Sequence, residues 1–124
     1  MKGVGFKKRL SGRGVNKNMP SEAILRANAK DYFTQLFPKE VVKVWFPSRV
    51  KYKAEIDIFS IWDGICWVKD KFIFFQLTTI SNKSARLKKI INVMLPNHLY
   101  FTKPCEGILM CWRKKEKRFE VFKI

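Results

Sequence analysis

Residues 52–68 read as a long extended run that is apolar on both of its faces. Ile56, Ile58 and Trp62 fall on one side, and Phe59, Ile61, Ile65 and Trp67 on the other. A strand hydrophobic on both faces has to be covered on both, since either face left in water would expose aromatic and branched side chains. The flanking segments supply the cover. Ser21 follows Pro20 and opens a stretch with Ile24, Leu25, Ala29, Tyr32, Phe33 and Leu36 at helical spacing, which predicts a helix over 21–37 stopped by Pro38. Ser81 and Asn82 open a second helix carrying Leu87, Ile90, Ile91, Val93 and Met94 until Pro96. Further strands are predicted at 41–46, ended by Pro47, at 72–79, at 107–112 and at 118–122, the last two joined by the charged turn 113–117. The expected fold is α/β: a central mixed β-sheet flanked by helices, in the order αβββαββ.

Residues 1–20 stand apart. Lys2, Lys7, Lys8, Arg9, Arg13 and Lys17 occur there with no acid and with four glycines. Such a segment has nothing to bury in a core. It is expected to be a flexible basic arm preceding a domain at 21–124. Over the whole chain 26 lysines and arginines face 10 acids, for a net charge of +16. Small domains stay soluble with net charges of about 2–8 in magnitude, so this excess is expected to answer a polyanion. Nucleic acid is the expected partner, with an anionic membrane surface second. No stretch is long and apolar enough to span a membrane, and no apolar leader opens the chain. Cys66, Cys105 and Cys111 show neither CxxC nor Cys/His metal spacing, and His98 is the only histidine. Reduced thiols and a cytoplasmic home are expected. There is no P-loop, GxGxxG or zinc pattern, which removes nucleotide-dependent and zinc-finger chemistries.

With acids so scarce, those inside apolar segments are informative. Asp57 and Asp63 are six residues apart, an even spacing that puts both on one face of a strand. If Lys69-Asp70 is a two-residue hairpin turn, Val68 faces Lys71, Trp67 faces Phe72, Ile65 faces Phe74 and Asp63 faces Gln76. Thr78 shares the face of Gln76, so one sheet face would gather Asp57, Asp63, Gln76 and Thr78. A one-residue slip would send Gln76 to the other face. Asp63-Gly64 is itself a hairpin signal, and as a turn it would end one strand at Trp62 and leave Asp63 a simple cap. Gln76 can equally be a buried amide satisfied by backbone, and Thr78 a residue chosen for strand propensity. On the second helix Lys83, Arg86, Lys88 and Lys89 begin just after this cluster. Together with Arg49, Lys51, Lys53 and the arm residues Lys7, Lys8, Arg9 and Arg13 they are candidate phosphate contacts. Trp45, Trp62, Trp67 and Trp112 could stack bases, but strand positions favour core packing.

The order of elements, with Asp63 in a central strand and Gln76-Leu77-Thr78 ending the next, resembles the PD-(D/E)XK, or restriction-endonuclease-like, nucleases. Within them the chain looks most like archaeal Holliday junction resolvases and small phage or viral relatives. The resemblance implies a metal-dependent endonuclease acting on structured or double-stranded DNA, DNA rather than RNA, as a homodimer in the cytoplasm, or the host cytoplasm if viral. It implies Mg²⁺ or Mn²⁺ held by Asp63, with Gln76 as a neutral ligand and Asp57 and Glu22 as auxiliary acids. Asp63, Gln76, Thr78 and Lys83 would be the catalytic set, and Lys83 or Lys53 would stand in for the missing lysine. Gln76 replaces the family's acid and Thr78 its lysine. The same departures fit an alternative, a non-catalytic nucleic-acid-binding protein of the same fold; an RNA-binding or nucleoid-type protein is a further one.

Overall fold

The computed structural model describes residues 21–47, 57–59 and 61–124. The arm residues Lys7, Lys8, Arg9 and Arg13, and Arg49, Lys51 and Lys53, lie outside them.

Helix α1 spans Glu22–Leu36. The Ser21 hydroxyl caps it by accepting from the Ile24 amide at 3.3 Å, and Glu22 sits in the first turn, where the helix dipole favours an acid. Strand β1 is Val42–Trp45, β2 is Gly64–Val68 and β3 is Lys71–Thr79. A 3₁₀ turn, Ile80–Asn82, leads into α2, Lys83–Met94, followed by β4, Cys105–Arg113, and β5, Arg118–Lys123. The sheet is ordered β1-β2-β3-β4-β5. Every pair is antiparallel except β3–β4, which is parallel because α2 crosses over between them. The class is therefore α/β, a five-stranded mixed sheet with two helices.

The helices cover opposite faces. Ala29 and Phe33 of α1 pack on Phe75, Val68 and Met110, with the Phe33 and Phe75 rings 5.2 Å apart. Ile90 of α2 packs on Leu109, Cys111, Ile61 and Trp62. Adjacent residues of β4, Leu109 and Met110, thus serve different cores, as the two-residue period of a doubly covered strand requires.

Lys69-Asp70 is the hairpin turn between β2 and β3, with Lys69 at φ 53°. Its register is the one counted from the sequence: Val68 opposite Lys71, Trp67 opposite Phe72 and Ile65 opposite Phe74. The long strand over 52–68 is corrected. Of its described residues, 57–59 and 61–68, only Gly64–Val68 form a named strand, because the chain reverses just before it. Ile58 and Trp62 form an isolated antiparallel bridge, closed by Ile58 N–H donating to the Trp62 carbonyl at 2.7 Å and Trp62 N–H to the Ile58 carbonyl at 2.9 Å. The expected alternation fails there as well, since Ile61 and Trp62 both enter the α2-side core.

Gly64 is not a turn glycine. A β-carbon on it would lie 2.8 Å from the Trp45 carbonyl oxygen and 2.5 Å from the Phe75 ring. It starts a strand squeezed between β1 and β3, where only glycine fits. No helix among the described residues is long and apolar enough to cross a membrane.

Candidate active site

Two registers meet at Asp63. One step beyond the Ile58–Trp62 bridge, Asp57 falls opposite Asp63. One step beyond the Gly64–Phe75 pair, Asp63 falls opposite Gln76, and Asp63 N–H donates to the Phe75 carbonyl at 2.8 Å. Asp57, Asp63 and Gln76 are therefore successive members of one cross-strand row. The two aspartates share a side because the chain folds back between them, and not because they lie along one strand.

A pocket of about 180 Å³ opens at this row, lined by Glu22, Leu25, Arg26, Asp57, Asp63, Gln76, Leu77 and Arg86. One carboxylate oxygen of Asp63, Oδ2, accepts from Gln76 Nε2 and from the Leu77 backbone N–H, each at 2.6 Å. Charge-assisted bonds of that length hold the carboxylate and the amide in one arrangement. They also set the Gln76 amide: its nitrogen faces Asp63, so its Oε1 is the free end. Gln76 is 2 % exposed, and its Oε1 has no hydrogen-bond partner among the described residues. A buried amide oxygen without a donor or cation is costly.

The other acids carry basic partners. Glu22 Oε2 lies 3.4 Å from Arg26 Nη2, one turn along α1. Asp57 Oδ2 lies 3.3 Å from Lys89 Nζ of α2. Arg86, one turn before Lys89, lines the pocket and makes no ion pair among the described residues. Three carboxylates and two guanidiniums thus share the pocket wall, so the acids do not set its charge alone.

All four expected metal ligands, Asp63, Gln76, Asp57 and Glu22, come to this pocket. The auxiliary acids do not close around Asp63. No three Asp, Glu, His or Cys side chains are close enough to hold a metal ion among the described residues. Glu22 and Asp57 turn to Arg26 and Lys89 instead. The residues that could hold a hard cation through oxygen are Asp63 and Gln76, which stay joined side by side. Mg²⁺ is commonly held by one or two carboxylates, retained waters and substrate phosphates rather than by a protein cage.

Two catalytic candidates stand outside this pocket. Thr78 shares the face of Gln76 but is 5 % exposed, sits opposite Cys111 in the ladder and is not a wall of the pocket. Lys83 is not a pocket wall either: its ammonium sits 3.6 Å above the Phe122 ring. As candidate phosphate contacts, Arg86 is at the pocket, while Lys89 approaches it bound to Asp57. Arg26 and the Leu77 N–H were not anticipated. Arg26 had a signal, since it lies four residues from Glu22 on a capped helix. The Leu77 amide had none, because a backbone donor leaves no mark in composition. A scan against protein-family models and searches of curated proteins and of solved structures returned no match.

Proposed function

We propose that this chain is a metal-dependent endonuclease of the PD-(D/E)XK, restriction-endonuclease-like type, acting on structured or double-stranded DNA in the manner of Holliday junction resolvases. The observation that carries this reading is the cross-strand row Asp57–Asp63–Gln76, with a buried amide oxygen that has no partner among the described residues at one end and Arg86 in the wall of the same pocket. Asp63 and Gln76 would hold Mg²⁺ or Mn²⁺. A bound divalent ion there would supply Lewis-acid stabilisation and a water acidic enough to attack phosphorus. The Leu77 N–H holds the Asp63 carboxylate in place, so it needs no reorganisation on binding. Arg86 and Arg26, both walls of the pocket, would offset the charge of a scissile phosphate, the task the missing triplet lysine leaves open. Resolvase-like cutting of symmetric junctions implies a homodimer.

A second reading, a non-catalytic nucleic-acid-binding protein of the same fold, is favoured by one observation: among the described residues no lysine lines the pocket, and Thr78 is buried away from it. The deciding experiment incubates the purified chain with labelled four-way junction, linear duplex and single strand in Mg²⁺, Mn²⁺ or EDTA. Metal-dependent cuts that vanish in Asp63→Asn support the nuclease. Tight binding without cuts supports the second reading, and cuts that survive Asp63→Asn point to another catalyst.

A further inference from the structure

The reversal that brings Asp57 and Asp63 together also carries an aromatic side chain for which the pocket has no use. Phe59 is 73 % exposed, and its backbone sits at φ 53°. That left-handed region favours glycine or asparagine, and a bulky side chain occupies it only at a cost. Both features are unfavourable in the isolated protein. Phe59 and Tyr100, itself 71 % exposed, line a groove of about 260 Å³ whose other walls include Ile61, Trp62, Leu99 and Phe101. No charged side chain lines it among the described residues. Its walls are mutually braced: the Trp62 and Phe101 rings meet edge to face at 5.4 Å, and Phe101 lies 5.5 Å from Phe74.

We propose that this groove binds an unpaired nucleobase of the nucleic acid whose backbone reaches the neighbouring pocket. The inference rests on the nucleic-acid reading above, but not on cleavage. A chain of +16 attracts polyanions and repels its own copies. The part of a polyanion that suits an uncharged aromatic groove is the base, whose π-face stacks on Phe or Tyr whatever its identity. Phe59 is two residues from Asp57, so their Cα atoms are within about 7 Å, and one strand can serve both places. A nuclease so equipped would favour DNA with bases outside the stack, at a junction, bulge or fork.

The test measures binding of the full chain in EDTA, where no cleavage occurs. One probe is a perfect duplex; the other is the same duplex with a single unpaired 2-aminopurine. The wild type should bind the second more tightly and quench its fluorescence. Phe59→Ala and Tyr100→Ala should each weaken that binding by about 5- to 150-fold, the range of one lost base–aromatic stack, with perfect-duplex binding unchanged. Phe59→Tyr should keep the preference, and Trp67→Ala, an exposed aromatic outside this groove, should keep it too. Equal losses on both probes, or none, would overturn the proposal. So would a wild-type dimer that Tyr100→Ala converts to monomer, which would make the groove a protein interface. If the wild type bound neither probe, the nucleic-acid reading itself would fall, and the groove proposal with it.

Discussion

Replacing Asp63 with alanine should destabilise the fold more than a surface acid could, and the structure sets the size. Its Oδ2 accepts two hydrogen bonds at 2.6 Å, from Gln76 Nε2 and Leu77 N–H. Bonds to a charged group contribute about 1.5–3 kcal/mol each, and a buried donor left without an acceptor costs about 1–3 kcal/mol. Both donors belong to buried residues. They share one acceptor, so the losses do not simply add. Water entering the pocket can satisfy part of what is lost. The expected loss for Asp63→Ala is about 2–4 kcal/mol. Asp63→Asn can keep its amide oxygen at the shared position and trade two charged bonds for two neutral ones, a loss of about 1–2 kcal/mol. Urea unfolding followed by fluorescence reads both. At about 1–3 kcal/mol per molar urea, alanine should move the midpoint by at least about 0.7 M and asparagine by less, with the slope unchanged. An alanine variant within about 0.5 kcal/mol of wild type would refute the claim that this carboxylate organises the strand end.

Five positions make further checks. Gln76→Glu would set a second carboxylate where an amide nitrogen now lies 2.6 Å from Asp63 Oδ2. Two acids that close raise the pair's proton affinity, so the folded chain binds more protons than the unfolded one. The variant should therefore lose stability as pH rises through the carboxylate range and regain it on acidification or with Mg²⁺; melts independent of both would contradict this. Burial pushes the Cys66 and Cys111 thiols from 9.0 up to about 11. Their contribution to stability should be intact below about pH 9 and lost as pH rises towards 11. At pH 8, alkylation followed by mass spectrometry should label Cys105 in the native chain and all three cysteines only after unfolding. If roughly six phosphates are neutralised, log K against log salt should slope near −5, and Arg86→Ala should flatten it by about 0.9. An unchanged slope would remove Arg86 from the interface.

The β2–β3 register was readable because the short polar stretch Lys69-Asp70-Lys71 separates two apolar runs, and counting back from a two-residue Lys69-Asp70 turn places Asp63 against Gln76. The reversal ahead of β2 was not. No proline or glycine marks the chain from Asp57 to Trp62, and Phe59 takes a left-handed backbone without the glycine that would announce it. Buried turns and strands both need apolar side chains, so Ile58, Ile61 and Trp62 continue the hydrophobic run whichever way the chain goes. The one turn signal nearby, Asp63-Gly64, marks close strand packing instead. The helix residues were half legible. Lys83, Leu87 and Ile90 fall on one stripe at 3.6 residues per turn, and Ile90 is fully buried. That phase carries Lys83 to the Phe122 ring, while Arg86 and Lys89 lie on an adjacent stripe that meets the pocket and Asp57. Charge alone singled out the helix, and its phase decides which charges reach the site.

The central claim is that Asp63 and the free oxygen of Gln76 form a divalent-cation site. It is tested most directly by titrating Mn²⁺ into the full-length chain and following the free ion by electron paramagnetic resonance. One ion should bind per chain in the wild type. Asp63→Asn and Gln76→Leu should each weaken that binding by at least about tenfold, while Thr78→Val and Lys83→Ala leave it unchanged. An ion that binds all five proteins alike, or none that binds the wild type, would contradict the account.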